Sequence, residues 1–178
     1  MNFPKAFLKI GEITFLEKLI AEYKKVVSEI VVVLNNDLTK PQWEQYINGI
    51  NGGCRIILNH YPEKGKFYSL QLGAKNTTTD FCFIQNVDCP TVNAVLLQKM
   101  LDNKNMTGLT LPTFEGKNGH PVLVSKEILK KIRLTCEINL NLKLFYSLFS
   151  KKYVEVHEEA ILYNINTPED YKRHIFLN

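Results

Sequence analysis

The feature that most constrains the fold is an apolar run that ends in a single carboxylate and a proline. Residues Phe81–Val87 are mostly apolar and favour β structure, and Asp88 and Pro90 follow them. Such a run, without polar alternation, predicts a strand buried on both faces, as in a parallel sheet. Because proline lacks a backbone N–H, the strand is expected to stop near Asp88. A helix capped by Thr91 is predicted next.

Asp88 is the first candidate for a functional residue. In an open α/β sheet, ligands bind beyond the carboxyl ends of the strands, and Asp88 stands at such an end. A carboxylate in that position can hold a metal ion. The alternative is a turn aspartate beside a helix N-terminus, whose partial positive charge stabilises a carboxylate. The residues alone leave both interpretations open.

Helix and strand patterns alternate in the first half of the chain, and a hairpin pattern follows. Thr14 and Glu17 have the spacing of a capping box at the start of an amphipathic helix. Gly108–Thr113 and His120–Val124 flank a turn-rich segment, which is typical of an antiparallel hairpin. Further strands are predicted at Glu29–Leu34, Arg55–Leu58 and Tyr153–Val156. This order predicts an α/β fold with three layers, a mainly parallel sheet and an antiparallel hairpin in the second half.

Composition indicates one globular domain over residues 1–178. The net charge is +4, and no basic stripe interleaved with aromatic residues predicts nucleic-acid binding. The mild positive excess suits an anionic small ligand, although it is also common on an ordinary solvated surface. The four cysteines are scattered without Cys-x-x-Cys spacing, which predicts reduced thiols in a cytoplasmic protein. No apolar run approaches the length of a membrane span, so no membrane partner is expected.

Five segments of the chain, taken in order, carry the motifs of a known family. They are Pro4–Gly11, Tyr68–Gly73, Val87–Pro90, Gly119–Leu123 and Asn164–Asp170. These segments resemble motifs of the molybdenum-cofactor nucleotidyltransferases, which have a MobA-like NTP transferase domain, and the resemblance covers nearly the whole chain. It implies a Rossmann-like fold of the nucleotide-diphospho-sugar-transferase type. It also implies transfer of a nucleotide from CTP or GTP to the phosphate of molybdopterin, with Mg²⁺ as cofactor and pyrophosphate as product.

The sequence departs from the family pattern at its start. The family opens with a strand and a Gly-rich loop ahead of the Pro-Lys pair, and these residues are not among the 178, so we expect a chain truncated relative to the family or a misplaced start. The strands at 30–34 and 81–85 should then flank a position with no strand to fill it. Without the loop's backbone N–H groups, CTP and GTP should bind weakly. Val87 stands where glycine is usual, and Asn166 stands where cytidylyltransferase-like members often carry aspartate.

The resemblance assigns roles to individual residues. Lys5 and Asp88 are the catalytic pair, with Lys5 as a point charge on the nucleotide phosphates. Asp88 and Asn166 are the magnesium ligands. The residues that bind nucleotide or substrate are Lys5, Ser69, Gly119 and His120. His120 is expected to contact the acceptor rather than act as a base. Each has an ordinary alternative: an exposed lysine, a helix cap, a turn residue or a strand-edge histidine.

Two other functions stay open. The same chemistry could act on a sugar or alcohol phosphate, because a fold does not fix its substrate. The chain could also be a non-catalytic remnant that binds a nucleotide or serves as an interaction domain. The absent loop favours the remnant, whereas the retained Lys5 and Asp88 favour an enzyme. The sequence does not distinguish CTP from GTP, and it leaves oligomer formation open.

Overall fold

The computed structural model describes residues 3–50, 52–137 and 140–176, with side chains described as far as residue 173. Met1, where we expected the chain to join the family pattern, lies outside the described residues. The strands are β1 (Lys9–Ile10), β2 (Ile13–Thr14), β3 (Val31–Asn35), β4 (Arg55–Asn59), β5 (Phe81–Ile84), β6 (Leu109–Phe114), β7 (Lys117–Asn118), β8 (Val122–Ser125) and β9 (Lys151–Glu155). The helices are α1 (Phe15–Tyr23), α2 (Glu44–Ile50), α3 (Gly65–Lys75), α4 (Ala94–Asp102), α5 (Lys126–Leu134), α6 (Leu142–Ser147) and α7 (Pro168–Phe176).

The longer strands fall into two groups. β3 and β4 pair in parallel. β5 pairs antiparallel with β8, which pairs antiparallel with β6, and β6 also pairs in parallel with β9. The predicted hairpin is therefore confirmed, and the sheet as a whole is mixed. Strand β5, which was expected to lie in a mainly parallel sheet, has an antiparallel partner. Its unbroken apolar run indicates that both faces are buried, but it does not determine the direction of the neighbouring strand.

Helices cover both faces of the sheet, which confirms the predicted three-layer α/β architecture. Leu123 of β8 packs in one cluster with Leu19 of α1 and Leu97 of α4. Its neighbours Val122 and Val124 pack in a second cluster with residues of α3, α5 and α6. Because successive side chains of a strand point to opposite faces, these two clusters are the two sides of the sheet.

The helix starts test two capping predictions. The capping box of α1 is confirmed: the Glu17 amide donates to Thr14 Oγ1 at 3.1 Å, and the Thr14 amide donates to the Glu17 carboxylate at 2.7 Å. The prediction that Thr91 caps α4 is wrong. Asn93 caps it by accepting from the third amide of the helix at 2.8 Å, while the Thr91 hydroxyl donates to the Ala160 carbonyl at 2.7 Å.

The expected gap between the two strand groups is present. Within the described residues, β3 pairs only with β4, and β5 pairs only with β8. The other edge of each strand faces an apolar groove of about 900 Å³, which is lined by residues 27–35 and 81–87. Within the described residues, β3 and β5 do not pair with each other, so the gap is not closed directly. None of the helices among them combines the length and apolarity needed to cross a membrane.

Candidate functional site

Three distant parts of the chain meet beyond the carboxyl end of β5. Lys5 lies in a short 3-10 turn, Lys5–Phe7, and Asp88 follows β5. Asn166 lies just ahead of α7. The Lys5 ammonium nitrogen is 2.7 Å from Asn166 Oδ1 and 3.7 Å from an Asp88 carboxylate oxygen. The structure thus brings together the predicted catalytic pair and the predicted metal ligands.

The turn that carries Lys5 is anchored by the residues that follow it. Ala6 and Phe7 are buried in a cluster with Leu34 of β3. The Phe7 ring stacks on Tyr46 with a centroid distance of 4.8 Å. With this apolar side fixed, the Lys5 side chain is left at the surface, where it reaches Asp88 and Asn166.

The segment that carries Asn166 is tied to the segment that carries Asp88. The Ile165 amide donates to the Asp88 carbonyl at 2.8 Å. The Cys89 thiol donates to Asn164 Oδ1 at 2.9 Å. Neither of these side chains was singled out from the sequence, although Asn164 precedes Asn166 by two residues in the last motif. Because of these two bonds, the Asp88 carboxylate and the Asn166 amide oxygen are held on one side of the domain.

The cap of α7 holds Asn166 from its other side. The Asn166 and Thr167 amides both donate to Asp170, at 3.0 and 2.9 Å, and the Asp170 amide donates to the Thr167 hydroxyl at 3.1 Å. These backbone bonds lower the pKa of the Asp170 carboxyl. Thr167 therefore caps α7. The Tyr171 hydroxyl donates to the Lys9 carbonyl at 2.7 Å, so α7 is held against β1.

Ser69 and Lys5 both line the groove, and no hydrogen bond joins their side chains within the described residues. The Ser69 hydroxyl accepts from the Asn59 side-chain amide at 2.9 Å. Helix α3 begins at Gly65, so Ser69 is inside the helix and is not a cap. A nucleotide contact for Ser69 stays a prediction.

Gly119 is placed by a close approach of two backbones. Its amide donates to the Pro112 carbonyl at 2.9 Å. A Cβ atom at this position would lie 2.5 Å from the Ile161 carbonyl oxygen, so only glycine fits without a shift. These contacts explain the glycine by packing, while its predicted contact with substrate stays a prediction.

His120 follows Gly119 and lies close enough to Asp88 to be affected by its charge. Its amide donates to the Ile161 carbonyl at 3.0 Å. The Nδ1 atom is buried and has no hydrogen-bond partner in the part of the chain that the structure describes. Burial lowers the pKa of His120; the Asp88 charge opposes this shift and the Lys66 charge adds to it. The ring is therefore neutral near pH 7. Lys66, in the first turn of α3, is a further cation near the site, and no sequence motif indicated it.

The oxygen donors that converge here fit a magnesium ion. Among the described residues, no three His, Cys, Asp or Glu side chains form a ready-made metal cluster. An Asp88 carboxylate oxygen and the Asn166 amide oxygen nevertheless both lie within 3.7 Å of the Lys5 ammonium nitrogen. Mg²⁺ is commonly held by one or two carboxylates together with substrate phosphates. The neighbouring Cys89 is a protonated thiol, because burial and then the Asp88 charge raise its pKa to about 12.

Fold and site together define a class of protein. A three-layer α/β domain with a carboxylate and an ammonium group beyond its strand ends is typical of proteins that bind phosphorylated ligands. The family model of the MobA-like NTP transferase domain matches residues 1–148. The chain therefore belongs to this family of nucleotidyltransferases, as the resemblance implied.

Curated relatives agree with this family. The chain is 27% identical over 184 residues to a probable molybdenum cofactor guanylyltransferase of Clostridium perfringens, covering 97% of this chain and 88% of that protein. It is 28% identical over 163 residues to the molybdenum cofactor cytidylyltransferase of Escherichia coli, covering 89% of this chain and 80% of that protein. The first relative is named as a guanylyltransferase and the second as a cytidylyltransferase, so their names indicate different nucleotides.

Solved structures agree with the fold. A Mycobacterium tuberculosis protein in complex with manganese superposes with a TM-score of 0.79 at 15% identity, covering 98% of this chain and 93% of that one. The 2-C-methyl-D-erythritol 4-phosphate cytidylyltransferase of Thermus thermophilus superposes with a TM-score of 0.72 at 17% identity, covering 98% and 93%. At this identity the likeness establishes the fold alone, and it confirms the predicted nucleotidyltransferase-like architecture.

Proposed function

We propose that this protein transfers a nucleotide from CTP or GTP to a phosphorylated acceptor and releases pyrophosphate. Molybdopterin is the favoured acceptor, because the curated relatives are named for the molybdenum cofactor. Mg²⁺ is the proposed cofactor and the cytoplasm the proposed location. The assignment rests on the family and on one geometric observation, the convergence of Lys5, Asp88 and Asn166.

That convergence matters because the three residues come from opposite ends and the middle of the chain. Local structure alone does not require residue 5 to contact residue 166. The Lys5 ammonium, at 2.7 Å from Asn166 and 3.7 Å from Asp88, is a cation next to two oxygen atoms that can coordinate a metal ion. Nucleotidyl transfer needs this combination, since it depends on positioning and on neutralising phosphate charge more than on covalent help from the protein.

Each residue has a defined part in this proposal. Asp88 and Asn166 would hold Mg²⁺, which when bound neutralises charge on the phosphate oxygens. Lys5 would leave their oxygens for the phosphates and act there as a compact positive charge. Cys89 takes no part as a nucleophile, because its thiol stays protonated. The bond from Cys89 to Asn164 instead helps to orient the loop that carries Asn166.

The acceptor is the least constrained part of the proposal. Gly119 and His120 are the candidates for contacting it, since the His120 ring is neutral and its Nδ1 atom is free of protein partners within the described residues. A neutral imidazole can accept or donate a hydrogen bond to a bound molecule. A sugar or alcohol phosphate would use the same contacts, so the assay needs both classes of acceptor.

Pyrophosphate release with Mg²⁺ and millimolar CTP or GTP tests the proposal. Asp88→Asn should lower the rate by about a hundredfold or more, because losing a few kcal/mol of metal-dependent stabilisation costs that much. Lys5→Ala should weaken nucleotide binding. Molybdopterin and a sugar phosphate are compared as acceptors.

Asp80→Asn is the matched control. Asp80 is an exposed carboxylate paired with Lys126 at 2.7 Å, away from the site, so its substitution should leave the rate unchanged. Undiminished pyrophosphate release by Asp88→Asn would refute the assignment of Asp88. No release with any nucleotide and acceptor would favour the non-catalytic remnant.

A further inference from the structure

Strand β9 has one strand neighbour and one open side. Within the described residues, β9 pairs in parallel with β6 and with no other strand. The Leu109 amide of β6 donates to the Ser150 carbonyl at 2.9 Å, just before β9 begins. The Val156 amide, just after β9 ends, donates to the Thr113 carbonyl of β6 at 2.9 Å. The backbone groups of the even-numbered residues along β9 therefore face β6.

The odd-numbered residues of β9 turn their backbone groups to the open side. Backbone groups alternate in direction along a strand, so Lys151, Tyr153 and Glu155 present their N–H and C=O groups at this edge. The Glu155 carbonyl already accepts from the Lys99 ammonium at 2.8 Å, but a carbonyl oxygen has a second lone pair. The edge can therefore pair with one further strand.

The side chains of these residues are exposed and carry opposite charges. Tyr153 is 54% exposed. Lys151 is exposed, and its ammonium has no ion-pair partner in the part of the chain that the structure describes. The Glu155 carboxylate is held in place, because it accepts from the Thr113 hydroxyl at 2.7 Å and from the Glu115 amide at 3.2 Å. A cation without a partner and a fixed anion thus lie at equal distances along the strand from an exposed aromatic ring.

This order of charges is complementary to itself. When two copies of β9 pair antiparallel about Tyr153, Lys151 of each copy lies opposite Glu155 of the other. Opposite charges in such cross-strand positions are stabilising, whereas like charges are destabilising. A shift of the register by two residues would instead place Lys152 opposite Lys152 of the second copy. A shift by one residue would place an outward-facing backbone opposite an inward-facing one.

The same charges disfavour other partners. Lysines on an edge strand discourage pairing with an arbitrary strand, because the incoming strand has to offer a carboxylate at the opposite position. A second copy of this chain offers that carboxylate at Glu155, where Thr113 and Glu115 already orient it. The edge therefore fits a second copy better than an uncharged segment.

We propose that β9 is a homodimer contact, in which the sheets of two copies join by antiparallel pairing of β9 about Tyr153. This contact is independent of the nucleotide chemistry proposed above. The strand has five residues. Five residues span about 16 Å, which is a narrow contact at the low end of interface sizes, so we expect a Kd of about 10–100 µM.

Sedimentation equilibrium of the 178-residue protein, from about 5 to about 500 µM, tests the proposal by mass action. The parent protein should change from monomer to dimer across this range. Lys151→Glu and Glu155→Lys each place like charges opposite one another twice in the contact, so each should weaken dimerisation by at least about tenfold. An equimolar mixture of these two variants should form a heterodimer with about the parent's Kd, because every glutamate then lies opposite a lysine.

Lys152→Glu is the matched control. It changes the net charge as much as Lys151→Glu does, but residue 152 lies opposite Val154 of the second copy, so the Kd should stay within about threefold of the parent's. Tyr153→Pro removes an outward-facing N–H at the centre of the contact and leaves the bonds to β6 in place. It should weaken dimerisation by at least about tenfold.

Four outcomes would overturn the proposal. The first is a parent protein that stays monomeric up to about 500 µM. The second is a dimer whose Kd is unchanged by Lys151→Glu and Tyr153→Pro, which would place the contact on another surface. The third is equal weakening by Lys151→Glu and Lys152→Glu, which would assign the effect to net charge. The fourth is a mixture of the folded Lys151→Glu and Glu155→Lys proteins that stays monomeric. If Glu155→Lys fails to fold, the other three variants still decide the question.

Discussion

The contact between Gly119 and Ile161 gives a prediction whose size follows from the structure. In Gly119→Ala, the new Cβ would lie 2.5 Å from the Ile161 carbonyl oxygen and 2.7 Å from the Ile161 Cβ. Backbone cannot yield as easily as a flexible side chain, so overpacking should cost about 1–3 kcal/mol of unfolding free energy. The 3.0 Å bond from the His120 amide to the same carbonyl should lengthen as well. For a domain of this size, the expected loss in Tm is roughly 3–9 °C.

Urea unfolding of Gly119→Ala beside Gly52→Ala measures this effect. A Cβ at Gly52 meets nothing within 4 Å, so the control should stay within about 0.5 kcal/mol of the parent. Ile161 also precedes the loop of Asn166, and its displacement should lower nucleotide affinity together with stability. An unchanged unfolding free energy for Gly119→Ala would show that the approach of the two backbones is not the reason for this glycine.

Two further predictions concern titratable groups. Burial raises the pKa of the Cys82 thiol to about 11, whereas Cys136 is exposed, so iodoacetamide at pH 8 should label Cys136 faster than Cys82 in the native protein; mass spectrometry of peptides reads this directly, and labelling of Cys82 as fast as that of Cys136 would contradict the raised pKa. Burial lowers the pKa of His120 below its usual value of about 6.5, so the unfolded chain binds the proton more readily, and the stability that the neutral ring provides is complete above pH 6.5 and lost as the pH falls. His120→Gln should flatten this part of the stability–pH profile, and an unaltered slope would assign it to other groups.

Local patterns in the sequence predicted the elements well where one side chain decides the outcome. Thr14 and Glu17 define the start of α1 by their spacing, and the turn-rich segment before His120 marks the hairpin. The cap of α4 was wrong because Thr91 and Asn93 are both good caps, and only the contact of Thr91 with Ala160 decides between them. Such a contact joins residues 69 positions apart, which no local pattern contains.

The partner of β5 could not be predicted for a related reason. The apolar side chains of Phe81–Ile84 show that both faces are covered, but the neighbouring strand pairs through backbone groups that every residue has. The functional site was more accessible, because the motifs that contain Lys5, Asp88 and Asn166 come from a resemblance over nearly the whole chain. Lys66 and the Cys89–Asn164 bond were missed, since their part in the site depends on the packing of α3 and of the last loop.

The most direct test of the account is whether a metal–nucleotide complex binds at Asp88. Mn²⁺ broadens the NMR signals of nearby nuclei, so Mn²⁺ with GTP or CTP should broaden the backbone signals of Lys5, Asp88 and Asn166 together. Those of Asp80 and Lys126, which form a surface pair elsewhere, should stay sharp. Asp88→Asn should abolish the effect. Broadening that centres on another part of the domain, or that persists unchanged in Asp88→Asn, would contradict the proposed site.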